Sequence, residues 1–214
     1  MTKKDVLRNM YTIVPNTISK IINKVVFLVN RVNCGKAFKP RGIIKISRVF
    51  CLPFMSGGGI ALGNNVRINS SNTADPVSFA NKTIFYVNRR GNIIIGDRSG
   101  ISNAIIVAHD ATVEIKSDVM IGAGVKIYST DFHSTNFNDR INHVNTKSGN
   151  VTIEDGAFIG ADALILKNVR IGKKSVVAAN SVVTKDVPDF EIWGGNPAKL
   201  IRKMENSDES FVCD

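Results

Sequence analysis

Stepping by six from Ile95 lands on Ile101, Val107, Val113, Val119 and Val125. Stepping by six from Ile153 lands on Ile159, Ile165, Ile171, Val177 and Val183. All twelve positions are Ile or Val. A helix repeats at about 3.6 residues and a strand at about 2, so neither sustains this period. A six-residue unit is a short strand followed by a sharp corner. Gly96, Gly160 and Gly172, with Asn64, Asn65, Asp97, Asp118 and Asp155, supply residues that tolerate the positive φ of such corners. Two residues before the second series stand Val151, Ala157, Ala163, Val169, Ser175 and Ser181, all small or β-branched. Hexapeptides of this kind wind into a parallel β-helix with three units per coil, which stacks Ile95 on Val113 and Ile153 on Ile171. Ile60 and Val66 form an earlier, weaker rung.

The two series do not share a register. Val125 to Ile153 is twenty-eight residues, which six does not divide. The stretch 128–150 must therefore leave the solenoid. It holds His133, Asn136, Asn138, Asp139, Arg140 and His143 and almost no aliphatic rhythm. A polar excursion from a rigid scaffold is where chemistry concentrates. The expected layout is a basic N-terminal segment over 1–56, a β-helix over 57–188 with its active-site loop at 128–150, and a C-terminal segment over 189–214.

Charge is unevenly distributed. The chain has a net +10 at neutral pH, yet residues 1–56 hold eleven Lys and Arg against Asp5 alone, and the remainder holds seventeen of each sign. A phosphate-coated body is excluded by this count, and no nucleic-acid partner is expected. Val25–Val29 is far shorter than a membrane span. No signal-type apolar run follows the first lysines, so a cytoplasmic protein is expected. Cys34, Cys51 and Cys213 show neither metal spacing nor a disulfide framework. After Pro15, residues 16–32 read as an amphipathic helix with Ile18, Ile21, Ile22, Val25, Val29 and Val32 as its apolar stripe. Lys20, Asn23, Lys24, Phe27 and Arg31 lie off that stripe, and Asn16 or Thr17 caps it. Two readings stay open: the stripe packs on the solenoid or a partner chain, or it rests on an anionic membrane surface.

The rungs, the loop Tyr128-Ser129-Thr130-Asp131-Phe132-His133-Ser134 and the ending Trp193-Gly194-Gly195-Asn196-Pro197-Ala198-Lys199-Leu200-Ile201-Arg202 together resemble hexapeptide-repeat acyltransferases. Within that family the chain is most similar to sugar O-acetyltransferases of the maltose, galactoside and O-antigen or capsule type, over roughly residues 57–203. The resemblance implies an all-β solenoid, a left-handed parallel β-helix, assembled as a homotrimer with sites between neighbouring prisms. It implies acetyl-CoA as co-substrate and a saccharide hydroxyl as acceptor, with no metal. It makes His133 the general base; Asn103 becomes a substrate contact, and Asp131 either orients the imidazole or meets the acceptor. It carries the coenzyme A site onto Ala161, Ala179, Thr184, Lys185 and Arg202, with Lys199 beside them and Phe158 as an aromatic wall. Ala178-Ala179-Asn180-Ser181 departs from the family's Gly-Ala-Gly-Ser, which sets the Asn180 side chain at a left-handed corner.

The chemistry asks for such a histidine. A sugar hydroxyl is a poor nucleophile near neutral pH, and a positioned base raises attack about 10²–10⁴-fold. Histidine titrates in the working range. No Gly-x-Ser-x-Gly or comparable nucleophile stands in the chain, which favours direct transfer over an acyl-enzyme. Three alternatives use the same scaffold: N-acetylation of a nucleotide-linked amino sugar, a γ-type carbonic anhydrase, and a non-catalytic solenoid. His109, His133 and His143 lack the close His pair of the second.

Overall fold

The computed structural model describes residues 18, 20–25, 27–28, 32–34, 39–42, 45–48, 58–70 and 82–204. Its strands form three faces. The first runs Asn33–Cys34, Gly59–Leu62, Asn92–Ile95, Thr112–Ile115, Val151–Ile153 and Arg170–Ile171. The second runs Lys39–Gly42, Arg67–Ser70, Gly100–Ser102, Met120–Ile121, Phe158–Ile159, Val176–Val177 and Glu191–Gly195, closed by Ala198–Lys203. The third runs Lys45–Arg48, Ile84–Asn88, Ile105–His109, Lys126–Tyr128, Leu164–Ile165 and Val182–Val183. Through the coils, each strand pairs in parallel with the strand one turn on, such as Met120–Ile121 with Phe158–Ile159. This is a left-handed parallel β-helix. Its backbone hydrogen bonds run along the solenoid axis, so interior coils satisfy each other.

Alternation along each short strand builds the core. Val113 and Ile115 point inward while Glu114 points out. All twelve residues of the two six-fold series are buried, at no more than 4% exposure. The stacking is more particular than the period suggests. Ile153 pairs with Ile171 as expected, but Ile95 pairs with Ile115, and Val113 pairs with Ile93. The coil from Ile95 to Ile115, which holds the five-residue strand Ile105–His109 and the Asp110 corner at φ 51°, is twenty residues long, two more than three hexapeptides, and this shifts the register by two. A shift of two returns every side chain to the same face, so the aliphatic series crosses from one inward column to the next without exposing anything. Val107 is the exception. It alternates with inward Ile106 and Ala108, and is covered instead by lying in register between Tyr86 and Tyr128 on the third face.

Strands reach beyond the expected β-helix limits of 57 and 188. Among the described residues they start at Asn33, and strands within 33–48 already join all three faces. At the other end, Glu191–Gly195 extends the second face in parallel with Val176–Val177 and then folds back on itself as Ala198–Lys203. Residues beyond 188 therefore continue the prism, with a cis Asn196–Pro197 peptide in the hairpin turn.

The N-terminal helix also differs from the expected stripe. Within 18–28 the described residues are helical, while Val32 lies outside the helix and packs partly buried on the core. Phe27 is 7% and Asn23 1% exposed, and Phe27 joins the core cluster. Ile18, Ile21 and Val25 of the expected stripe do not pack on the prism, at 52%, 60% and 56% exposure. The i, i+4 pair of one amide and one aromatic decides the docked face, because a single Phe buries more surface than any residue of the aliphatic stripe. Among the described residues no helix is long and apolar enough to cross a membrane. Asn16, Thr17, Val29, Arg31, Cys51 and Cys213 lie outside the described residues.

Candidate active site

Three corner ridges separate the faces. The ridge between the second and third faces carries Asn103, Gly124, Asp162 and Asn180, at φ 44°, 75°, 58° and 58°. Each hands its amide to the neighbouring coil: Gly124 N–H donates to the Asn103 carbonyl at 3.2 Å, Asp162 to Ala123 at 2.8 Å and Asn180 to Ala161 at 2.8 Å. Asn180 thus occupies the left-handed corner expected of it. Asn103 lies on the same ridge, but its side chain is wholly buried.

The excursion loop leaves the ridge between the third and first faces, after Lys126–Tyr128, and returns at Val151–Ile153. Its two feet pinch together. Thr130 and Ser148 form an antiparallel bridge, Gly149 N–H donates to the Ser129 carbonyl at 2.8 Å, and Asp131 N–H to the Lys147 carbonyl at 3.1 Å. Beyond the pinch the order is polar. Asn136 accepts the Asp139 N–H at 3.1 Å and caps the short helix Phe137–Ile141. Ser134 and Asn145 both donate to the Asp139 carboxylate. The Arg140 guanidinium donates to the Ser134 and Thr135 carbonyls at 3.3 and 3.2 Å. Asp139 and Arg140 hold the loop in place of an aliphatic core.

His133 stands exposed in this loop. Phe132 precedes it in the left-handed region at φ 62°, with its ring edge-on to Tyr128 at 5.3 Å. His133 N–H donates to the Asp131 carbonyl at 2.7 Å, which closes a tight turn and turns the imidazole outward. His143 comes alongside, ring centres 6.1 Å apart. Asp131 departs from the orienting role. Its carboxylate pairs with Lys167, one coil on along the same ridge, at 2.8 Å. Lys167 carried no signal in the sequence, because the pair joins a loop to a coil thirty-six residues away. Asp131 therefore ties the His133 turn to the prism.

His109 forms a second tie. It ends the strand Ile105–His109 beside the loop's feet: its N–H donates to the Ser129 hydroxyl at 2.8 Å and its Nδ1 contacts the Ser148 hydroxyl at 3.3 Å. Burial, and after it the positive charge of Arg89, holds the imidazole below its ordinary pKa. The folded state then binds this proton more weakly than an open one. Stability from this tie is complete above about pH 6.5 and falls as the pH drops below that value. We expect the protection of the Gly149 amide, corrected for intrinsic exchange, to fall between pH 7 and pH 5 in the wild type. It should be flat with pH in His109→Gln.

The expected donor residues divide between ridges. Ala161 and Ala179 follow one another on the second-to-third ridge, where the coils touch backbone to backbone: a Cβ on Gly160 would meet the Ala179 nitrogen at 2.5 Å. Lys199 and Arg202, both exposed, lie on the terminal hairpin. That hairpin seats on the same end of the ridge, since Ala178 N–H donates to the Trp193 carbonyl at 2.8 Å and Gly195 N–H to the Ser181 hydroxyl at 3.1 Å. Trp193 is held by the nearly buried Glu191 carboxylate, Nε1 to Oε2 at 2.8 Å. Thr184 and Lys185 follow Val182–Val183, exposed on the ridge that carries the loop. Phe158 lies 42% exposed on the second face in register with Met120. Within one chain, His133 and the Ala161–Ala179 corner occupy different ridges with the third face between them. Among the described residues no three His, Cys, Asp or Glu side chains gather as a metal site.

Comparison with known proteins agrees with the fold. The bacterial transferase hexapeptide model, six repeats, matches residues 150–185. A galactoside O-acetyltransferase of Lactococcus lactis is 35% identical over 58% of this chain and 59% of its own length. Serine acetyltransferase 2 of Arabidopsis thaliana is 39% identical over 52% of this chain and 33% of its own. A hexapeptide-repeat acetyltransferase of Vibrio cholerae, solved with acetyl coenzyme A, superposes with a TM-score of 0.52 at 35% identity, covering 57% of this chain and 66% of that one. The chain thus spans less than two thirds of the length of these relatives. Residues 150–185 thus match the bacterial transferase hexapeptide family, and the six-residue rungs and three-faced prism carry the likeness along the rest of the described solenoid.

Proposed function

We propose that the protein is a cytoplasmic, homotrimeric acetyltransferase that moves the acetyl group of acetyl-CoA to a hydroxyl of a saccharide, with His133 as general base. The observation that carries this is the outward-facing imidazole of His133, held on a loop tied to the prism by Lys167 and His109. Small side chains at Ala161 and Ala179 leave a thin strip along their ridge for a pantetheine arm, and exposed Lys185, Lys199 and Arg202 supply cations for phosphates at that end of the prism. His133 Nε2 takes the acceptor hydroxyl proton as that oxygen attacks the thioester carbonyl. The carbon–sulfur bond breaks, and the proton passes from the imidazolium to the departing thiolate. No covalent enzyme intermediate is formed in this scheme. The ridge separation of His133 from Ala161 and Ala179 supports a site shared by neighbouring copies.

The test is release of coenzyme A thiol from acetyl-CoA with a panel of neutral mono- and oligosaccharides and of amino sugars. Saccharide-dependent thiol release, with alkali-labile acetyl on the product, is expected. Release confined to free amino groups would overturn the hydroxyl acceptor.

A further inference from the structure

The N-terminal helix presents two apolar faces. One is spent on the prism through Phe27. The other consists of Ile18, Ile21, Val25 and Leu28, at 52%, 60%, 56% and 80% exposure. At helical spacing these four fall within an arc of about 80°. Four large aliphatics do not gather on one exposed arc by composition alone; such a patch marks a surface that meets something apolar. Lys24 and then Lys20, both exposed, border the arc between Leu28 and the docked Phe27.

Charge identifies the occupant. From Asp5 to Asp75 the chain contains no acidic residue and ten Lys or Arg. Packing this segment against the same segment of a second copy would bring like charges together. The rest of the chain, with seventeen of each sign beyond residue 56, offers no acidic excess to receive it. A surface that is apolar beneath and anionic above satisfies both halves of the pattern.

We propose that the Ile18–Ile21–Val25–Leu28 face docks the protein on an anionic lipid bilayer, with the helix lying in the interfacial plane. The aliphatic side chains enter the acyl boundary, while the Lys20 and Lys24 stems lie along it and their ammonium groups meet headgroup phosphates. The contact is peripheral and reversible, since one short helix and a few cations supply it. It is independent of the reaction proposed above, so loss of either leaves the other standing.

Flotation of the full chain with vesicles tests it. With phosphatidylcholine containing about a third phosphatidylglycerol, the protein is expected to float at low salt and to be released at about 0.5 M salt, where the Debye length is only a few ångströms. Pure phosphatidylcholine vesicles should hold much less. Ile21→Asp with Val25→Asp should abolish flotation, and Lys20→Gln with Lys24→Gln should weaken partitioning about tenfold or more. Both pairs of substitutions lie on exposed side chains, so circular dichroism and light scattering should show the wild-type fold and assembly. Wild-type protein left at the bottom of the gradient would overturn the proposal, as would equal binding to neutral and anionic vesicles. Dissociation of the assembly in the Asp variant would also overturn it, by assigning the face to a second copy.

Discussion

His133→Ala is expected to lower kcat for acetyl transfer by about 10²–10⁴, the contribution of a positioned general base, with little change in KM for acetyl-CoA. The thermal midpoint should stay at the wild-type value, because the imidazole is exposed and buries nothing. His143→Ala, which removes only the ring 6.1 Å away, should cost far less. Retention of full activity in His133→Ala would overturn the mechanism. The same variant tests whether copies share a site. An assembly mixed from His133→Ala copies and copies whose donor ridge is blocked by Ala179→Trp should regain about a quarter of wild-type activity if each site joins two copies. In an evenly mixed cyclic oligomer, a quarter of the interfaces then bring an intact loop to an intact ridge. If each site lay within one copy, the mixture would be as inactive as its parents.

The second large effect is on stability. Ile127 is fully buried and stands in register between Ile106 of the preceding coil and Ile165 of the next. Ile127→Ala should cost about 2–5 kcal/mol, since contacts are lost on both sides and the ladder above and below restrains collapse into the cavity. The loop begins immediately after this strand, so activity should fall with stability. Ile94→Ala, on the outer surface at 40% exposure, should stay within about 0.5 kcal/mol. Urea unfolding of the two variants measures the difference. Equal costs would mean that the inward column is not what holds the coil.

The inward columns could be read from the chain because a solenoid repeats one local problem. Each unit must bury one or two aliphatics and turn once, so the solution is written every six residues. The left-handed corners were legible only in part: Asn65, Asp118 and Asn180 take a positive φ, whereas Gly96, Gly160, Gly172, Asn64, Asp97 and Asp155 do not, and the φ falls instead on neighbours such as Arg98, Gly156 and Lys174. What escaped was whatever the period does not govern. The twenty-residue coil holding Asp110 moved Ile95 from Val113 to Ile115, and a shift of two leaves no trace in a pattern of inward and outward residues. The first coil, from Asn33, lacks a clean aliphatic rhythm, and only pairing across twenty-eight residues reveals it.

The candidate site divides along the same line. That His133 belongs to an irregular, polar excursion follows from the broken register between Val125 and Ile153, which no continuous coil can absorb. How the loop is held does not follow from it. The Asp131–Lys167 pair, the His109 contacts with Ser129 and Ser148, and the enclosure of Asn103 depend on which coils become neighbours across long stretches of chain. The helix shows the same division. Its apolar and basic residues are plain in order, but which of its two apolar faces meets the prism is settled by the surface available for Phe27 to fill. The sequence by itself determined the period, the corners and the place where the solenoid must open, since these are local demands repeated down the chain. Only the tertiary structure decided which residues meet across that opening and which helix face is left outside, since those choices depend on contacts between residues far apart in sequence.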